Sequence, residues 1–314
     1  MKRTFAYRLI KEKHPLTAMA TEKRNGLVLP LGIMVFIVVF LAINFLVNLP
    51  LNILSYATSK EYVRTLMSGN LGQFVMMGMN IVVMALLTLY CVKFEKRSPR
   101  SMGFSSGNVI PEYLKGVLLG FIAFSAVLLT GVLLKGFHFE NVSNPIAFSS
   151  IFVWLLTFLI SGMQEEVICR GFLMISISRR APMWIAVLMN SVLFGLLHFM
   201  NPGINLLPVI NLTLFGIFSS LLFLRTSNIW CVGAFHAIWN FVQGNFFGLQ
   251  VSGAPELPTL LHFSQTGNTL VNGGAFGPEG GLPVTFVLIV GIVLILFLPE
   301  KTRDVLATDS LESI

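Results

Sequence analysis

Apolar runs of bilayer length recur along the whole of this chain. Segments near residues 27–50, 71–92, 113–135, 148–170, 182–200, 206–224, 229–248 and 282–298 are all dominated by Leu, Ile, Val, Phe and Met. About 20 such residues cross a hydrocarbon core of about 30 Å as a helix. Between them no soluble stretch is large enough to fold alone. Only 11% of the 314 residues are charged and 55% are hydrophobic, with a mean hydropathy of +0.80; a soluble domain carries roughly 25% charged residues. In lipid the backbone must satisfy its own polar groups, which leaves helices or closed barrels. The short alternating strands of a barrel are absent. The expected fold is all-α: a polytopic membrane bundle of about eight transmembrane helices.

Lys and Arg set its orientation, because loops rich in them stay in the cytoplasm. The tail over 1–26 carries Lys2, Arg3, Arg8, Lys11, Lys13, Lys23 and Arg24. With that tail inside, Lys93, Lys96, Arg97, Arg100 and Lys115 also fall inside, as do Arg179, Arg180, Arg225, Lys301 and Arg303. Only Lys60, Arg64 and Lys135 fall outside, and Arg170 lies within a span. Both termini are therefore expected in the cytoplasm of a cell-membrane protein. The net charge of +7 needs no nucleic-acid partner on this reading. The basic tail and first run are too long for a cleaved signal peptide and read as a tail with an uncleaved span. Cys91, Cys169 and Cys231 lie in or beside apolar runs and form no C-x-x-C pair, so they read as packing residues.

The expected organisation is a basic tail (1–26), three transmembrane helices (27–144), a polar-bearing core (145–248), an outer loop (249–281) and a last helix with a cytoplasmic tail (282–314). The loop holds no Lys or Arg and has turn signals at Gly267-Asn268 and Asn272-Gly273-Gly274.

Within the core, ionisable groups sit at membrane depth, where they are costly and usually face a cavity. Glu165 and Glu166 lie in the stretch Ser161–Arg170, which follows directly on the apolar run Ile151–Ile160. Glu166 and Arg170 are i, i+4 and share a helix face. Glu165 lies about 100° around the helix from Glu166, so the two carboxylates need not do the same work. Phe194 and His198 are again i, i+4, with Asn190 one turn earlier; so are His236 and Asn240, with Gln243 beyond. Three helices each bring polar groups into an apolar run, and mutual satisfaction at one site is the economical explanation. Counting along the helices puts Glu165, His198 and His236 at one level, in the half of the bilayer nearer the basic loops, provided that 171–181 projects beyond it. His14 and His262 lie outside these runs and receive no role.

Glu165-Glu166-x-x-x-Arg170, Phe194-x-x-x-His198 and His236-x-x-x-Asn240 together resemble the three motifs of the CAAX protease and bacteriocin-processing (Abi) membrane family, which includes the type II CAAX prenyl endopeptidases. The resemblance covers about 148–248, including Gly171-Phe172 and Leu224–Trp230. It implies peptide-bond hydrolysis inside the membrane. Glu165, assisted by His198, would activate water. His236 and Asn240 would donate to the oxyanion, a contribution whose loss typically costs about 3–4 kcal/mol of barrier. Glu166 with Arg170 would brace the site, and Asn190, Phe194 and Gln243 are candidate cavity lining.

Glu165, Glu166, His198 and His236 are also zinc ligands by type. The H-E-x-x-H signature is absent, and the metal-free glutamate hydrolase is the favoured reading, with no cofactor. The expected partners are a peptide or lipidated-protein substrate and membrane lipid. A non-catalytic immunity or scaffold protein of the same fold and a proton-relay transporter are the competing classes.

Overall fold

A computed structural model describes residues 4–23 and 29–299. Lys2, Arg3, Arg24, Lys301 and Arg303, the first residues of the expected 27–50 span and the cytoplasmic tail beyond 299 lie outside the described residues. Two short helices, α1 (Phe5–Lys11) and α2 (Pro15–Thr21), open the chain. There follow α3 (Leu29–Ala57), α4 (Lys60–Ser68), α5 (Asn70–Lys93) and α6 (Val109–Leu133). After β1 (Phe137–Val142), α7 (Phe148–Glu166) continues through a π-helical stretch, Val167–Met174, into α8 (Ile175–Ser178). Helices α9 (Met183–Leu197), α10 (Leu206–Thr226) and α11 (Ile229–Phe241) complete the core, α11 ending in a second π stretch, Val242–Phe246. A folded segment with β2 (Leu261–Gln265) and α12 (Thr269–Asn272) leads to α13 (Leu282–Phe297).

Five of these helices are long and apolar enough to cross a membrane: Pro30–Ala57, Asn70–Lys93, Val109–Leu133, Phe148–Ser178 and Leu206–Thr226. Met183–Leu197 and Leu282–Phe297 are apolar but shorter. The expected 182–200 span thus narrows to Met183–Leu197, 282–298 is met by Leu282–Phe297, and 229–248 keeps an α-helix only to Phe241. The reason is position. The outer helices turn large apolar side chains outward, such as Phe45, Leu118 and Phe286, each about 60% exposed. Helix α11 is buried almost throughout and packs against protein on all sides, so lipid thickness does not set its length.

Close approach between helices is built on glycine. Gly116 and Gly120 of α6 face the backbone of Cys231 and Phe235 on α11, the small-xxx-small spacing that lets backbones meet without an intervening side chain. Gly162 of α7 faces Ala237 of α11, and a Cβ there would lie 2.7 Å from the Ala237 nitrogen. That contact sets the register of the carboxylate-bearing helix against the histidine-bearing one.

The two ends of the bundle differ in chemistry. One end is knit by buried basic groups. Arg97 donates to the Gly171 carbonyl at 2.6 Å and to Ser176 Oγ at 2.8 Å, and Arg179 meets Glu95 at 2.7 Å. Thr17 and Ser178 share a 2.7 Å hydrogen bond, and His14 bonds the Leu224 carbonyl at 2.9 Å. Arg8, Lys11, Lys13, Lys93, Lys96, Arg100, Arg180 and Arg225 cluster with them in the same segments. The opposite end holds Lys60, Arg64 and Lys135.

That opposite end is not all-α. Strands β1 and β2 pair antiparallel, Phe137 with Gln265 and Phe139 with Phe263, with a bulge between Phe139 and Asn141. The segment 249–281, expected as an outer loop, contains β2 and α12 and is folded onto the core. Asn211 donates to the Glu279 and Gly281 carbonyls at 2.7 and 2.9 Å, and the Gly253 amide bonds the Phe276 carbonyl at 2.9 Å.

Candidate active site

Glu166 is the hub. Its Oε1 accepts from Arg170 Nη1 at 2.9 Å and from His236 Nδ1 at 2.8 Å. Glu166 and Arg170 are fully buried and His236 nearly so. Arg170 also donates to the Gly216 carbonyl at 3.1 Å and lies 4.8 Å from the centre of the Phe194 ring. Low dielectric makes such a pair strong only when its remaining hydrogen bonds are met; here the bonds to Gly216 and His236 meet part of that need, while Glu166 Oε2 and Arg170 Nε are buried with no partner among the described residues. Arg170 sits inside the π stretch, a local widening found often at functional sites. The expected Glu166–Arg170 brace is thus present as a contact, and it extends to His236, 70 positions away in sequence.

Glu165 points elsewhere. Its Oε2 lies 3.9 Å from His236 Nε2, and its side chain is 36% exposed. It lines a cavity of about 370 Å³ together with Phe194, His198, His236 and Asn240, a volume within the usual range of about 300–1,000 Å³ for ligand sites. The aromatic rings of Phe215 and Phe194 hold the imidazole of His236 edge-on, with centroids 4.9 and 6.0 Å away.

Hydrogen bonding assigns the ring nitrogens. A carboxylate and a carbonyl only accept. His236 Nδ1 therefore donates to Glu166, and His198 Nδ1 donates to the Phe194 carbonyl at 2.9 Å. Each histidine keeps Nε2 for other chemistry. Among the described residues Asn240 makes no side-chain hydrogen bond to protein, and no bond or ion pair joins Glu165 directly to His198. Nor is any group of three or more His, Cys, Asp or Glu arranged there to hold a metal ion.

The cavity leaves out two of the expected residues. Asn190 is fully buried between α9 and α10, donating to Ser220 Oγ at 3.2 Å. Gln243 donates to the Gln250 carbonyl at 2.6 Å, tying the π end of α11 to the following segment. Helical spacing gives a shared face but not the depth at which that face meets open space, and a π stretch shifts the face as well. Conversely, the cavity wall includes Asn201, Ser252 and Glu279, which sequence reasoning passed over. The Glu279 carboxylate accepts from the Ser252 amide at 2.6 Å and its hydroxyl at 2.7 Å, and Asn201 donates to the Ser252 carbonyl at 3.0 Å. One signal was available: Glu279 is the only Asp, Glu, Lys or Arg between 257 and 299.

The wall also has a direction. From Glu165 it climbs α7 through Ser161 to Phe158; from His236 it climbs α11 to Asn240; from Phe194 it climbs α9 through His198 to Asn201 and Pro202. All of these steps lead away from the basic end. In the other direction along α7 lie Glu166 and Arg170, both buried and bonded to each other, with Glu166 also bonded to His236 of the cavity wall. The reactive groups do meet at one level, but the cavity adjoins the 249–281 segment, not the basic loops near which it was expected.

Residues 147–242 match the family model for type II CAAX prenyl endopeptidases, Rce1-like. The match contains Glu165, Glu166, Arg170, Phe194, His198, His236 and Asn240. No curated protein and no solved structure matches the chain. Residues 147–242 of this multi-pass membrane protein, which has several helices able to cross a bilayer, are thus similar to the CAAX protease family, a family of hydrolases acting on peptides or proteins.

Proposed function

We propose that the chain is an intramembrane endopeptidase of the glutamate type. The carrying observation is the division of labour between adjacent carboxylates: Glu166 is consumed in holding Arg170 and His236, while Glu165 faces the cavity 3.9 Å from His236 Nε2. Glu165 takes a proton from a water that His198 Nε2 helps to orient. The water oxygen attacks the scissile carbonyl carbon. Asn240 Nδ2 and, in its doubly protonated form, His236 Nε2 donate to the resulting oxyanion, as preorganised donors must. Collapse breaks the C–N bond, and the proton held by Glu165 leaves with the amine.

The reaction as drawn needs no cofactor. It uses Glu165 as the free carboxylate, since Glu166 Oε1 already accepts two hydrogen bonds. We place the catalytic core at 145–248 and read the bundle as eight passes, α9, α11 and α13 being the short ones. The basic end faces the cytoplasm of the cell membrane, following the charge bias of bacterial-type topology. The substrate is a membrane-associated or lipidated peptide.

The test uses the purified protein in lipid nanodiscs, farnesylated C-terminal peptides and unprenylated membrane-proximal peptides. Cleavage of at least one class by the wild type, its loss in His236→Ala, and insensitivity to a strong zinc chelator are expected. Cleavage abolished by the chelator and restored by zinc would replace this reading with the metal-dependent one. No cleavage of any peptide would favour the non-catalytic reading.

A further inference from the structure

The cavity that holds Glu165 carries a second carboxylate in its wall, Glu279. We propose that Glu279 forms a subsite for a cationic group, so that the peptide taken by this site bears a Lys or Arg side chain within about three residues of the bond presented to Glu165. Calling that peptide a substrate rests on the hydrolase reading above; its binding does not.

The first support is the state of the carboxylate. Glu279 is only 6% exposed. Its Oε2 accepts from the Ser252 amide at 2.6 Å and from the Ser252 hydroxyl at 2.7 Å. Among the described residues its Oε1 accepts no hydrogen bond, and Glu279 makes no ion pair. Neither is Oε1 sealed in protein; it keeps an open side where Glu279 lines the cavity. Holding Ser252 occupies one oxygen, and an amide oxygen would serve for that. The negative charge and the second oxygen are left over, and a nearly buried anion is costly without a cation beside it.

The second support is the sign of the surroundings. The cavity wall has two carboxylates, Glu165 and Glu279, two histidines, and no Lys or Arg. No Lys or Arg occurs from 181 to 224 or from 226 to 299. Glu256, exposed one residue beyond Pro255 of the wall, adds a third carboxylate nearby. Clefts lined by one sign of charge with low-dielectric walls concentrate ligands of the other sign. The chain itself supplies no cation for Glu279, so the visitor does.

The third support is placement. Pro278–Gly280 is a single 3₁₀ turn. Asn211 of α10 donates to the Glu279 carbonyl at 2.7 Å, and the Gly280 amide bonds the Gly277 carbonyl at 2.8 Å. Gly277 has a φ of +86°, and a Cβ there would lie 2.3 Å from the Gln250 carbonyl oxygen. The turn is thus docked closely and presents an acceptor that needs no ordering on binding. A sphere of about 370 Å³, the cavity volume, is about 9 Å across, which two or three extended residues span at about 3.5 Å each. A peptide whose carbonyl lies at Glu165 therefore reaches Glu279 with a side chain close to the scissile bond.

Peptide binding is measured first, without turnover, on the full chain carrying Glu165→Gln in nanodiscs of zwitterionic lipid. The probes are membrane-proximal peptides with blocked termini that differ at one residue: Lys, Nε-acetyl-Lys or norleucine, moved in turn along the peptide. At one position or more, the Lys peptide is expected to bind about 10- to 100-fold more tightly than both neutral ones, the range of a hydrogen bond to a charged group. Adding Glu279→Gln should bring that ratio near one, and adding Glu256→Gln should keep most of it. Glu279→Lys should turn the preference toward a Glu-bearing peptide. Lys peptides that bind no better than neutral ones, or a Lys preference that survives Glu279→Gln, would overturn the proposal. In the chain with Glu165 intact, the kcat/KM ratio of Lys to acetyl-Lys peptides should fall by the same factor in Glu279→Gln. An equal loss for all peptides would make Glu279 a structural residue and overturn the subsite. A preference that follows Glu279 in a protein that cleaves no peptide would keep the subsite and defeat the hydrolase reading alone.

Discussion

Glu166 Oε1 lies 2.8 Å from His236 Nδ1, so a carboxylate on α7 fixes an imidazole on α11 whose other nitrogen faces the cavity. The same oxygen binds Arg170 at 2.9 Å. One buried anion thus serves a buried cation and orients a reactive ring, and removing it has two separable consequences.

Glu166→Gln keeps the shape and removes the charge. It leaves Arg170 buried without its counter-ion, a change that typically costs about 3–5 kcal/mol. The thermal unfolding temperature in detergent is expected to fall sharply. Adding Arg170→Met removes the orphaned charge, and much of the lost stability returns while activity stays low, because an amide oxygen can hold His236 Nδ1 but lacks the negative charge that favours the doubly protonated ring. A double variant no more stable than Glu166→Gln would contradict this account of the pair.

Gly162→Val tests the register between α7 and α11. The added side chain meets Ala237, and overpacking of this kind costs about 1–3 kcal/mol. Displacement of the reacting groups by about 1 Å can lower the rate about a hundredfold. The variant is expected to fold with reduced stability and to lose most activity, although Gly162 touches no substrate. Wild-type turnover in Gly162→Val would show that the helix contact does not position the site.

Asn240 makes no side-chain hydrogen bond among the described residues and lines the cavity. Asn240→Ala is therefore expected to leave the unfolding temperature unchanged. As an oxyanion donor its loss lowers kcat by about 10²–10³ with KM little affected. A rise in KM with kcat retained would make it a binding residue instead.

Much of this site was legible because helices are periodic. Glu166–Arg170 is a one-turn contact, and i, i+4 spacing suffices to find it. The same rule set Phe194 under His198 and His236 under Asn240. What spacing could not show was which face met which: the Glu166–His236 bond joins positions 70 apart through the Gly162–Ala237 contact. The π stretch around Arg170 left no mark in the sequence. The 249–281 segment read as an outer loop because it lacks Lys and Arg and is rich in Gly, Pro, Asn and Ser, yet its turns fold β2 onto β1 and bring Glu279 to the cavity. The alternation in Phe137-His138-Phe139-Glu140 and in Leu261-His262-Phe263-Ser264 was the missed strand signal.

His14, expected to have no role, holds two elements together. It caps α2 by accepting from the Leu16 amide at 3.2 Å, and its Nε2 donates to the Leu224 carbonyl at 2.9 Å. Burial pushes its pKa down from 6.5 to about 4, with nearby Arg8 acting in the same direction and the bond to Leu224 opposing. The unfolded chain then binds the extra proton between those two values. The stabilisation is complete above pH 6.5 and is lost as pH falls toward about 4. Hydrogen exchange of α1 and α2 is expected to quicken over that window, and His14→Asn, which keeps a cap acceptor, should flatten the response. An unchanged pH dependence in that variant would assign it to another group.

The central claim is that Glu165 activates the water. It is tested most directly by single-turnover cleavage of a membrane-proximal peptide in H₂¹⁸O, comparing the wild type with Glu165→Gln. General-base catalysis contributes about 10²–10⁴ in rate. The wild type should place one ¹⁸O in the new carboxylate, and Glu165→Gln, folded and still binding peptide, should be slower by a factor in that range. A folded Glu165→Gln that incorporates ¹⁸O at the wild-type rate would contradict the account.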